Sequence, residues 1–91
     1  MKAWAVVRLK FSSSRQLRVV LRAVEPETRS QPTPRSRVQV RGEGETLLIT
    51  FEASDTVALR AAVNSYLRWI SLIHDACSVL ESLSREAKTL N

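Results

Sequence analysis

The side chains best suited to chemistry are few. His74 and Cys77 are the chain's only histidine and only cysteine. Three residues apart, they share one turn of an expected helix. A zinc centre takes about four such ligands, so the pair reads as a core cysteine with a flanking histidine. Ser71, His74 and Asp75 include the residue types of a nucleophilic triad. They fall on the same helix, and nothing in the sequence supplies an oxyanion hole for them. Gly42-Glu43-Gly44 is not followed by a helix, which makes it a turn and not a phosphate cradle. The remaining candidates are cations. Arg15, Arg18 and Arg22 recur at helical spacing as a basic ridge; with Arg37 and Arg41 they form the set that could hold RNA phosphates. No aromatic platform of the kind found on RNA-binding sheets accompanies them. No catalytic constellation emerges. The reading is of a protein that is not an enzyme and uses no cofactor, metal or small-molecule substrate.

The elements that carry these residues follow from periodicity. Residues 3–11 alternate: Ala5, Val7, Leu9 and Phe11 point one way, Trp4, Val6, Arg8 and Lys10 the other, as in a strand. Ser12-Ser13-Ser14 is a helix-start signal. Leu17, Val20, Leu21 and Val24 then form one helical stripe, which Pro26 is expected to end. Residues 26–36, with all three prolines and no large apolar residue, read as a linker. Residues 37–41 alternate again with Val38 and Val40 inward. Gly42-Glu43-Gly44-Glu45 is the expected turn, and Leu47, Ile49, Phe51 and Ala53 make the returning strand of a hairpin. Leu48 points to the opposite side, like Trp4 and Val6.

From Asp55, a candidate N-cap, no glycine or proline interrupts the chain. Leu59, Val63, Tyr66, Ile70, Ile73, Cys77 and Leu80 follow a heptad seam. Ala62, Ser65, Trp69, Leu72, Ala76, Val79, Leu83 and Leu90 form a second track beside it. Tyr66 is expected in the core; Trp69 suits a core or an interface equally. A helix over residues 55–90 is ~54 Å long at 1.5 Å per residue, whereas a strand of eight or nine residues spans only about 30 Å. The helix must outrun its own sheet, and Val79, Leu80 and Leu83 then need a helix from another chain. The expected architecture is α+β in the order β-α-β-β-α: a three-stranded, mainly antiparallel sheet with two helices packed on one face and a long C-terminal helix.

Composition bounds the rest. The chain has 91 residues, 44% hydrophobic and 25% charged, ordinary globular values that make 1–91 a single domain. A core this small buries only ~60–65% of the unfolded surface, which favours oligomers. Residues 1–41 carry a net +8 and residues 42–91 a net −3, summing to the overall +5. An arginine-rich half suits RNA or an acidic protein. The chain has no apolar run of the roughly 18–20 residues that a membrane span requires. The apolar start is broken at Arg8, too early for a signal peptide. A lone cysteine fits a reducing compartment, and a cytoplasmic location is expected.

The run Ala58-Leu59-Arg60, followed by Val63-Asn64-Ser65-Tyr66-Leu67-Arg68-Trp69, stands after a hairpin and at the head of the last helix. It resembles the signature of the Pcc (CTAG/Pcc) family. Arg35-Ser36 before the second strand, Gly42 and the element order also fit. The resemblance spans roughly residues 3–80 and is strongest over 53–70; the proline-rich loop and the extension over about 81–91 are less typical. It implies a non-catalytic dimerisation and scaffold subunit of KEOPS, the complex that makes threonylcarbamoyladenosine in tRNA. Such a subunit self-associates, or pairs with a paralogue, and packs its two helices against helices of the ATP-dependent catalytic subunit. Under that reading Leu17, Val20, Leu21, Val24, Val63, Tyr66, Leu67 and Ile70 surround the catalytic-subunit contact. Trp4, Val6 and Leu48 are the candidates for self-association. The competing reading is a stand-alone basic module that binds tRNA or another RNA through Arg15, Arg18, Arg22, Arg37 and Arg41.

Overall fold

A computed structural model describes residues 2–29 and 35–90. Alternation produces three strands of equal length: β1 (Ala3–Lys10), β2 (Ser36–Glu43) and β3 (Thr46–Ala53). They form one antiparallel sheet in the order β1-β3-β2. The register sets the inward residues in rows: Ala5, Phe51 and Val38 share one, Val7, Ile49 and Val40 the next. Two helices, α1 (Ser14–Arg29) and α2 (Thr56–Leu90), cover that face. Leu17, Val20 and Val24 from α1 and Ile70 from α2 close over Phe11, Val38, Leu47, Ile49 and Phe51. The expected β-α-β-β-α order, the single covered face and the long last helix are all present.

Each helix start is held by a side chain. The Gln16 amide donates to Ser13 Oγ at 3.2 Å, and Ser12 Oγ donates to Gln16 Oε1 at 2.8 Å. At α2 the Ala58 amide donates to Asp55 Oδ1 at 2.8 Å, which satisfies one of the helix's free N–H groups. Arg35 pairs with the other Asp55 oxygen at 3.1 Å, and the Ser54 amide donates to the Arg35 carbonyl. The start of α2 is thus tied to the entry of β2. The bond from the Ala58 amide, with help from Arg35, holds the Asp55 carboxyl below its ordinary value.

Two expectations are corrected. Pro26 does not end α1, which runs on to Arg29. Proline forfeits its own helical hydrogen bond, but fully buried Val24 anchors the turn before it. Two residues after the proline, Thr28 Oγ1 donates to the Glu25 carbonyl at 2.7 Å. Residues 26–29 of the expected linker are therefore helical, Ser36 already belongs to β2, and residues 30–34 lie outside the described residues. Gly42, expected in the turn, lies in β2 opposite Leu47. A β-carbon there would stand 3.3 Å from Leu21 and 3.4 Å from Leu17, so glycine lets α1 approach the strand closely. The turn itself is Gly44-Glu45, with Gly44 at φ 62°. A positive φ at the first of two turn residues matches the type II′ hairpin, whose twist suits the flanking strands.

Phe51→Ala is expected to cost about 3–5 kcal/mol in urea unfolding, because it empties the centre of the fully buried cluster. Asp55→Asn keeps the cap but removes the charge. Since folding lowers the carboxyl below 3.8, its stabilisation is complete above that pH and is lost as the pH falls through the lowered value. Thermal unfolding of the variant should therefore fall less steeply in acid than that of the wild type.

Candidate protein interfaces

The chemistry-bearing residues do not converge. Nδ1 of His74 stands 4.0 Å from the carboxylate of its neighbour Asp75, beyond hydrogen-bond reach, and Ser71 is exposed. The imidazole packs instead against Phe11, with ring centroids 5.8 Å apart. Among the described residues no three His, Cys, Asp or Glu side chains cluster as a metal site. Cys77 is a free, half-buried thiol. The five arginines divide between two sides of the molecule. Arg15, Arg18 and Arg22 are exposed on α1, whereas Arg37 and Arg41 lie on the uncovered face of the sheet. Arg41 pairs there with Glu43 at 2.6 Å. Sequence spacing brought the five together as a set; the strand phase separates them.

What the fold leaves unsatisfied is apolar surface, in two places. The first is the open face of the sheet. Its rows are Trp4, Glu52 and Arg37; Val6, Thr50 and Gln39; then Arg8, Leu48 and Arg41. Trp4 is 70% exposed and Val6 47%. With Leu48 diagonal to Val6, the three residues expected for self-association do form one patch, and Arg8, Arg37 and Arg41 frame it.

The second is the helical layer. Eight residues were expected around a partner contact, but Leu17, Val20, Val24 and Ile70 are buried in the chain's own core. The physical reason is position: Leu17, Val20 and Val24 are the side chains of the α1 stripe that close over the inward face of the sheet. Leu21, Val63, Tyr66 and Leu67 stay half-buried. Tyr66 meets Phe51 edge-on at 5.8 Å and Trp69 at 6.0 Å. Burial, together with the nearby Glu27 charge, raises its phenol above the ordinary value. Farther along α2, Leu72, Val79, Leu80 and Leu83 are all more than half exposed. An α2 of 35 residues is ~52 Å long, about twice the ~26 Å of an eight-residue strand. The longest dimension of the molecule, 56 Å, reflects this overhang. Val57, 74% exposed on the first turn of α2, escaped the sequence reading, because it lies off both apolar tracks.

Comparison with known proteins bears on these surfaces. The family model described as "Transcription factor Pcc1" matches residues 5–78. A protein of Pyrococcus abyssi (strain GE5 / Orsay) named "KEOPS complex subunit Pcc1" is 41% identical over 71 residues, covering 78% of this chain and 87% of that protein. A chain in the structure "Crystal structure of binary complex Gon7-Pcc1" superimposes with a TM-score of 0.77 at 24% identity, over 87% of this chain and 96% of that one. The last likeness shows a shared fold.

Trp4 and Trp69 are the two tryptophans, one largely exposed and one half-buried. In dilute solution Trp4→Phe should remove the part of the emission that acrylamide quenches readily and leave the protected part. An unchanged quenching curve would place Trp4 under cover.

Proposed function

The chain belongs to the Pcc1 family, and from that premise we propose that it is a non-catalytic subunit of a KEOPS complex that links protein partners in threonylcarbamoyladenosine formation on tRNA. The single observation that carries this reading is the relative named as a KEOPS subunit, 41% identical over most of both chains. Unpartnered apolar surface supports a scaffolding role, since groups left in water gain ~25 cal/mol per Å² when a partner covers them.

Two contacts follow. The open sheet face joins a second copy or a paralogue through Trp4, Val6 and Leu48. An aromatic anchor framed by cations suits an interface core with a charged rim. The helical layer meets the catalytic subunit through the side chains that the core does not enclose: Leu21, Val63, Tyr66 and Leu67. One dimer then presents two such layers and brings two catalytic subunits together. The division of arginines between two faces argues against one continuous RNA-binding patch as the main activity.

Leu67→Asp is expected to abolish co-purification with a KEOPS catalytic subunit while the isolated chain keeps its solution mass. Val6→Asp should shift that mass toward the monomer and leave the catalytic-subunit contact intact. Retained co-purification of Leu67→Asp defeats the placement on the helical layer. Tight, salt-dependent tRNA binding by the isolated chain, with no binding to the catalytic subunit, defeats the scaffold reading in favour of an RNA-binding module.

A further inference from the structure

Ile73, half-buried, is the last apolar side chain of α2 packed against the core cluster among the described residues, yet the helix continues to Leu90. The family match stops at residue 78, so most of the projecting segment lies outside it. In the sequence Ile73, Ala76, Leu80, Leu83, Ala87 and Leu90 are spaced 3-4-3-4-3, the seam of a coiled coil. Their sizes run large, small, large, large, small, large. That order reads the same from either end.

We propose that α2 beyond Ile73 is a self-association site, at which it pairs antiparallel with the same segment of a second copy. In that register position 73 meets 90, position 76 meets 87 and position 80 meets 83, so large faces large and small faces small in every layer. Asp75 comes opposite position 88, a lysine in the sequence, and no like charges face each other. A parallel pair sets Asp75 against Asp75 and crowds both folded bodies at one end. The antiparallel pair overlaps over ~27 Å and carries the bodies to opposite ends. Leu80 and Leu83, the central layer, are 65% and 55% exposed in the single chain, with Leu72 and Val79 exposed beside them. This contact is distinct from the open sheet face and does not rest on the KEOPS reading. A chain with both contacts assembles beyond a dimer.

Sedimentation velocity of the full-length chain over a concentration series tests the site. Leu80→Asp with Leu83→Asp is expected to remove one association step, so that the average mass at high concentration falls to that of the assembly held by the remaining contact alone. Both side chains are exposed, so the variant should unfold at close to the wild-type temperature. Val6→Asp should remove a different step. A mass distribution unchanged by the paired aspartates overturns the proposal, as does a Val6→Asp variant that is monomeric at every concentration.

Discussion

Both helices lie on the same side of the three-stranded sheet, and the rest of this structure follows from that arrangement. The inward rows of β1, β3 and β2 are closed by α1 and the first half of α2. Most of the large exposed apolar groups lie either on the opposite sheet face, as Trp4 and Val6 do, or along the overhanging helix, as Leu72, Val79, Leu80 and Leu83 do. Neither remainder reflects poor packing. The enclosed cluster is dense, with Leu47, Ile49, Phe51, Val20 and Val24 at essentially no exposure. A small domain has little core to spare, and this one stabilises its centre fully while leaving its periphery for others.

Much of this was legible in the sequence. Alternation placed all three strands and named their inward residues, because a period of two admits only two faces. Asp55 and the serine run were readable as caps, since helix starts carry free N–H groups that short oxygen-bearing side chains satisfy. The overhang of α2 needed only the rise per residue. Other features were hidden because they depend on what lies across the fold. Pro26 signals a helix end locally, and the anchoring of Val24 on the sheet overrides it. Gly42 looks like turn chemistry until Leu17 and Leu21 are seen above it. The apolar stripe of α1 could as well have faced a partner. Only the position of α1 over the sheet shows that Leu17, Val20 and Val24 are consumed internally.

Charge shows the same division between local and long-range information. Arg37 and Arg41 are two apart on a strand and so share a face, and the helical spacing of Arg15, Arg18 and Arg22 keeps them together. Which face each group occupies depends on how α1 crosses over the sheet. The basic half of the chain thus clothes both sides of the molecule. On the open sheet face Arg8 and Arg41 stand on either side of Leu48, and Arg37 lies beyond Glu52 in the row of Trp4, so the apolar patch there is bordered by charge.

The strand order has a consequence for biosynthesis. β1 is made before β2 and β3, but its only partner in the sheet is β3, which is also the neighbour of β2. The hairpin of β2 and β3 closes locally, whereas β1 must wait for a strand that begins 36 residues after its own end, at Thr46. Until then Ala3–Lys10, an alternating segment with Trp4, Val6, Val7 and Leu9 among its eight residues, has both hydrogen-bonding edges free, the condition under which nascent strands stick to one another. Arg8 and Lys10 at its far end supply the charge that keeps such a strand apart from its copies.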